Sequence, residues 1–470
     1  MSTAAATKNP FPSPVKAALA ERQAAPLCFS AARVLLVAVL IAAPLAFGAV
    51  QTWAWVTLDI VAVVLLLLWA IGSIQQGVVQ VHWSPLYIPA MLFLLLGIVQ
   101  FAGHLTLDPV GTRESLIKIG TDTLFLFIAG QLAVSASEKT WEIAAFLVTV
   151  YTFALSIFAV LQYFSSHGLI YWTVKVPLAT VFGPYVNHNH YAGLMEMLIP
   201  LSAGYFLCLP SDKPWRPLIG VAVVVSLVSV LLSGSRGGFI SLLAETLILA
   251  IFLRLRLWSQ VGRRLTLTIA LGIIAAALLF FWADRGKISK HLATIANLPK
   301  APDRVLGGRV PVWLDSLQMT RKNLWRGVGL GSFEVVYPQY QSFPTDVRWD
   351  HAHNDYLEAA AETGLPGFAL ILIGLVMFVN LAFPGAEDRI RTTSGRLQFA
   401  AALGCCGILV HSFSDFNLHI PANAMWFAVL LAVATHFGRT FPTEKRGDGS
   451  TYAPIPEKHL LGATNVGTMS

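Results

Sequence analysis

Charged side chains are scarce in this chain: they make up 12% of 470 residues, against 56% hydrophobic ones. A soluble domain carries about 25% charged residues, so the deficit excludes a water-exposed surface over most of the length. Cysteine is scarce too. Cys28, Cys208, Cys405 and Cys406 are the only four, none stands in a CxxC spacing, and no disulfide framework is implied; they read as small apolar packers. Alternating apolar and polar strands, the mark of a membrane β-barrel, are missing from stretches such as VAVVLLLLWA at 61–70. No repeat of solenoid type is present, and no glutamate sits in an HExxH frame. The formal charge of +7 suits anchoring to anionic lipid as well as any substrate.

Long apolar runs are what the chain has in abundance. Crossing about 30 Å of hydrocarbon takes roughly 20 helical residues, and runs of that kind recur near 33–50, 53–72, 85–101, 115–134, 141–162, 189–209, 217–233, 238–253, 265–283, 364–383, 397–413 and 421–437. The fold class expected is an all-α integral membrane protein with about twelve transmembrane helices. The first run reads as an uncleaved signal anchor, because a polar leader precedes it and further spans follow. Lys and Arg in the short loops set the orientation. Lys8, Lys16, Arg22 and Arg33, the segment RLRLWSQVGRR, the pair DKPWR and EDRIRTTSGR, and Arg439, Lys445 and Arg446 all fall on one side, which is then the cytoplasm.

The organisation expected is a cytoplasmic tail at 1–30, nine spans over 31–283, a large helical periplasmic loop or cap at 284–362, three spans over 363–438 and a cytoplasmic tail at 439–470. Within the loop, Pro311 suits the first turn of a helix, with Val312, Trp313, Leu317 and Leu324 as one apolar stripe. A second helix is predicted from Asn354 or Asp355 to Gly364, before Pro366 opens the tenth span. From Asp284 to Asp350 the loop has ten Lys or Arg against six Asp or Glu, a bias that attracts anions.

Four polar motifs then fall on the same predicted side: GPYVNHNHYAG at 183–193, SGSRGGF at 233–239, HAHNDY at 351–356 and HSFSDFNLHIPAN at 411–423. Polar groups at membrane depth are expensive and mark a site. Arg236, among glycines at a helix start, and Arg309, after GG and at a helix start, have the setting of anion sites; the plainer readings are a snorkelling Arg and a solvated loop Arg. His351 and His353 point the same way if extended, and one of them suits a general base, although a loop His is often only solvated. His188, His190, His351 and His353 are a weak zinc pattern, so no metal is expected. Asp355 and Glu358 read as first-turn acids that complement a helix dipole. His188, His190 and Asp415 receive no role.

In their order, GPYVNHNHYAGLMEMLIP, SGSRGGF, GGRVPVW and HAHNDYLEAAAETGLPGF resemble the O-antigen ligase and polysaccharide polymerase superfamily. HSFSDFNLHIPAN resembles its exopolysaccharide polymerase branch. The resemblance implies an inverting, metal-independent membrane glycosyltransferase without a cofactor, in the bacterial inner membrane, with its active site facing the periplasm. The donor implied is a glycan on undecaprenyl pyrophosphate, moved as a block to an acceptor hydroxyl. The family's essential arginines fall on Arg236 and Arg309 and its essential histidine on His353; Asn189 and His351 complete the expected substrate-binding set. Where many relatives have Asn-Pro-Asn, this chain has Asn187, His188 and Asn189. The segment at 411–423 favours a polymerase of surface or exopolysaccharide repeat units. A ligase acting on lipid A core stands next, a protein-glycosylating branch after it. The bilayer and glycan-export or chain-length-control proteins are the further partners such a role implies, and nucleic acid is not among them. A secondary transporter would instead show repeats and midplane charges, and a scaffold would leave the one-sided Arg and His motifs unused.

Overall fold

The computed structural model describes residues 27–256 and 309–436, apart from 78, 178–179 and 345–347. The ninth predicted span at 265–283, the basic segment up to 308 and nearly all of both tails lie outside the described residues.

Apolar sequence becomes helix throughout. The described helices are α1 (Leu27–Leu45), α2 (Thr52–Gln75), α3 (Tyr87–Ala102), α4 (Pro109–Val134), α5 (Glu138–Ser165), α6 (His188–Cys208), α7 (Arg216–Ser233), α8 (Arg236–Arg256), α9 (Arg309–Lys322), α10 (Asp355–Ala382), α11 (Thr393–His411) and α12 (Pro421–Thr435). Among them, α1, α2, α4, α5, α6, α7, α10 and α11 are long and apolar enough to cross a membrane, and α3 and α12 are shorter apolar helices. With α8 they fill eleven of the twelve runs read from the sequence.

Two helices form the centre. In α6, 78% of the most apolar stretch is buried inside the protein, and in α11 67%, against 17% to 39% in the other membrane-length helices. A helix apolar all round is one buried all round, and α6 and α11 pack on each other while α5, α7, α8 and α12 surround them. Cys405 of α11 is fully buried, and all four cysteines are free thiols.

The segment after α9 builds a small core of its own from Val312, Met319, Val328, Phe333, Val336, Tyr337, Ala352 and Ala361. The buried face of α9 is Val312, Asp315, Ser316, Met319 and Thr320. Leu317, expected in the apolar stripe, is exposed, because the buried face keeps polar groups with work to do. The Asp315 carboxylate accepts from Tyr337 Oη at 3.1 Å and Ser342 N at 3.0 Å, and buried polar atoms persist when so satisfied. Gln100, at the end of α3, fastens this segment to the bundle. Its amide donates to Arg326 O at 2.7 Å and Glu362 O at 2.9 Å, and its oxygen accepts from Leu330 N at 3.1 Å.

Asn354 caps α10 by accepting from Leu357 N at 3.0 Å, as Asx caps do. The helix breaks at Gly364, whose φ of 66° and ψ of −167° lie where a side chain clashes with its own backbone. The break separates a short first helix from the apolar part that begins around Pro366.

Candidate active site

The four polar motifs come together at one end of the bundle. His188 at the start of α6 meets Ser233 O at the end of α7 through Nδ1 at 2.7 Å, and Asp355 N at the start of α10 donates to Ser412 O just after α11 at 2.9 Å. Gly237 explains why the SGSRGGF turn comes so close. A Cβ there would overlap the His411 ring and would stand 2.7 Å from Ser414 Oγ, so only a glycine lets α8 start against the turn that carries Asp415.

Asp415 is the hub. Its carboxylate is fully buried and accepts from Arg309 Nη2 at 3.2 Å, from His353 Nδ1 at 3.1 Å, from Asn189 Nδ2 and from Phe416 N at 2.9 Å. Arg309 also donates through Nη1 to Ser414 O. Burial pushes the Asp415 carboxyl up. The His190 and His353 rings and the Arg309 charge pull it down further, and the net places it well below the usual carboxylate range. Asp415 is therefore an anion at neutral pH, and it aligns a guanidinium, an amide and an imidazole around itself.

His353 is held on several sides. Its φ of 50° puts a non-glycine residue in the left-handed region, a strain that persists where surrounding contacts impose it. Trp349 and Phe416 stand edge-on to its ring at 5.7 Å and 4.8 Å. With Nδ1–H donating to Asp415, Nε2 is the nitrogen left with a lone pair, and the ring keeps 17% of its surface open. An imidazole oriented by a buried carboxylate is an arrangement suited to general-base work. Arg236 is exposed and forms no ion pair among the described residues, and it lies close enough to Arg309 for the two charges to repel. Two neighbouring guanidinium groups suit an anion such as a phosphate, whose oxygens arginine forks match.

A second cluster lies behind Phe416. The His351 ring stacks on Phe416 at 4.1 Å, and His190 meets the same ring edge-on at 4.7 Å. His351 Nδ1 is 2.7 Å from Glu358 Oε1, and Glu358 Oε2 accepts from Ala352 N at 2.8 Å. His419 Nδ1 is 2.8 Å from Asp355 Oδ1, and its Nε2 is 3.3 Å from Glu358 Oε1. Burial lowers the His419 imidazole, but Glu358 and Asp355 outweigh it and raise it to about 10; burial likewise opposes, and Glu358 overcomes, a rise at His351. Asp355 and Glu358 are thus more than first-turn acids, since each partners a histidine.

Among the described residues, His351, Glu358 and His419 are the group whose ligand atoms lie within 4.8 Å of one another. That set differs from the four histidines of the weak zinc pattern. His188 turns to Ser233 O, His353 turns to Asp415, and His190 Nε2 lies 3.8 Å from Asp415 with no hydrogen-bond partner.

The expected residues Arg309, His353 and Asn189 meet on one carboxylate, Arg236 stands beside them, and His351 belongs to the adjoining cluster. Asp415 was missed. The signal available was an aspartate within the polar HSFSDFNLHIPAN stretch between two apolar runs, where a buried acid needs cationic partners.

An all-helical, multi-pass membrane protein with a charged site gathered at one end of its bundle is the class these features define. Residues 221–372 match the family model described as O-antigen ligase, which supports the O-antigen ligase and polymerase superfamily read from the motifs. The match spans Arg236, Arg309, His351 and His353 and stops short of Asn189 and Asp415. No curated protein matches the chain.

Proposed function

We propose that this protein is an inverting glycosyltransferase that moves a glycan as a block from undecaprenyl pyrophosphate to an acceptor hydroxyl at the periplasmic face of the bacterial inner membrane. The observation that carries the reading is the single buried carboxylate of Asp415 holding both Arg309 and His353 beside the open guanidinium of Arg236.

The acceptor oxygen attacks the anomeric carbon while its proton passes to His353 Nε2. The bond from that carbon to the pyrophosphate oxygen breaks, and the electron pair leaves with the pyrophosphate. Arg236 and Arg309 neutralise the charge that accumulates there, as donors aimed at a developing charge do, and arginine forks match phosphate oxygens. One displacement by the acceptor inverts the anomeric configuration. His353 contributes about 10² to 10⁴ in rate as the base.

The test uses the purified chain in proteoliposomes with a polyprenyl-pyrophosphate-linked glycan and a hydroxyl acceptor. Glycan joined to the acceptor, with release of polyprenyl pyrophosphate, is expected. Glycan crossing the bilayer without a new glycosidic bond would replace this reading with a transporter.

The segment at 411–423 favours polymerisation of repeat units, with transfer to lipid A core as the alternative. Deleting the gene separates them: single-repeat surface glycan marks a polymerase, and full-length chains left on the polyprenyl carrier mark a ligase.

A further inference from the structure

Three side chains of the cluster behind Phe416 aim ligand atoms at one spot. His351 Nδ1 and His419 Nε2 lie 2.7 Å and 3.3 Å from Glu358 Oε1, and the three atoms fall within 4.8 Å of one another. Ligands bonded to a tetrahedral zinc ion at about 2.0 to 2.2 Å stand about 3.3 to 3.6 Å apart, so movements of about 1 Å close the set.

The remaining atoms of each ligand are held by groups that are not ligands themselves. His419 Nδ1 lies 2.8 Å from Asp355 Oδ1, and Asp355 Oδ2 accepts from Leu418 N at 3.3 Å. A carboxylate on the far nitrogen of an imidazole fixes the tautomer and turns the near nitrogen's lone pair outward, and metal-bound histidines almost always have such a partner. Glu358 Oε2 accepts from Ala352 N at 2.8 Å, which leaves Oε1 turned to the two imidazoles. The His351 ring is stacked on Phe416 at 4.1 Å, and the stack sets the plane in which its Nδ1 lies.

The site is reachable as well as ordered. Glu358 and Asp355 are 2% and 7% exposed, whereas His351 and His419 keep 25% and 34% of their side chains open, so an ion enters past the imidazoles and meets buried anions. The three ligands border a cavity of about 720 Å³, with room for water in a fourth position. Two imidazole nitrogens with one carboxylate oxygen suit Zn²⁺ and its late first-row neighbours, whereas Mg²⁺ and Ca²⁺ call for oxygen ligands.

We propose that His351 Nδ1, Glu358 Oε1 and His419 Nε2 form a site for one zinc-class divalent cation, which staples the segment entering α10 to the turn before α12. The proposed transfer takes place on the other side of Phe416, around Asp415, and draws nothing from this ion; the site stands independently of that reading. In chain stripped of metal, the ion pairs described above hold the same groups together, and the cation takes the place of the protons they share.

The experiment strips the full chain in lipid nanodiscs with a chelator and then adds Zn²⁺ alone. One zinc per chain should bind, a large excess of Mg²⁺ should not displace it, and the melting temperature should rise. X-ray absorption at the zinc edge should show imidazole and oxygen ligands at about 2.0 to 2.2 Å and no sulfur. His419→Gln should abolish the binding and the rise in melting temperature. Asp355→Asn, which leaves all three ligands in place, should weaken binding by about 10- to 100-fold. A chain that binds no zinc, a sulfur shell at about 2.3 Å in the wild type, or undiminished binding by a folded His419→Gln chain would overturn the inference. The wild-type spectrum decides it even where a variant fails to fold.

Discussion

Removing the Asp415 carboxylate, which no solvent reaches, leaves Arg309 and His353 facing each other with no shared partner. Breaking a buried charge pair costs about 3 to 5 kcal/mol, so Asp415→Ala should lower the unfolding midpoint in thermal melts of the nanodisc-bound chain. Asp415→Asn keeps the shape and loses the charge. It should reduce kcat more than the donor KM, because it loosens the aim of His353 rather than the seat of the glycan; a purely structural Asp415 would leave that ratio unmoved. His419 gives the pH prediction. Its folded imidazole is raised to about 10 from about 6.5 in an unfolded chain, so its ion pairs stabilise fully below about pH 6.5 and lose their effect as pH climbs toward 10. The difference in melting temperature between wild type and His419→Asn should therefore be largest near pH 6 and shrink by pH 10; a constant difference would contradict the pairing with Asp355 and Glu358.

Elements carry the site because two glycines permit close approaches that any side chain would prevent. Gly237 brings the start of α8 against His411 and Ser414, so Gly237→Ala should displace Arg236 and weaken donor binding while the bundle still folds, seen as a raised donor KM with unchanged helical content. Gly364 bends α10 in a backbone region reserved for glycine, where a Cβ would stand 2.7 Å from Leu324 O. Gly364→Ala should cost about 1 to 3 kcal/mol, read as a lower melting temperature. Most helices were legible in the sequence, since apolar runs of membrane length have few other solutions, and the cap at Asn354 and the break before Pro366 carry local signals. The buried face of α9 was not legible. Asp315 looks like a solvent-facing residue until Tyr337 and Ser342, more than twenty positions on, supply its hydrogen bonds.

Across the whole molecule, the two polar clusters divide at Phe416, whose ring touches His190, His351 and His353 together. Arg236, Arg309, His353 and Asn189 could be picked out from the sequence because each sits in a short polar motif beside an apolar run. Their convergence on Asp415 could not, since that depends on which helix ends meet. Nor could the bond from Thr121 to Asp59 be read, because it forms only when α2 packs on α4. The central claim is that His353, aimed by Asp415, takes the acceptor's proton during one inverting displacement. The most direct measurement is single-turnover transfer in proteoliposomes by wild-type and His353→Ala chains, with the anomeric configuration of the product read by NMR. An inverted linkage from the wild type and a rate about 10² to 10⁴ lower without His353 are expected; a retained configuration, or transfer at the wild-type rate by His353→Ala, would contradict that role.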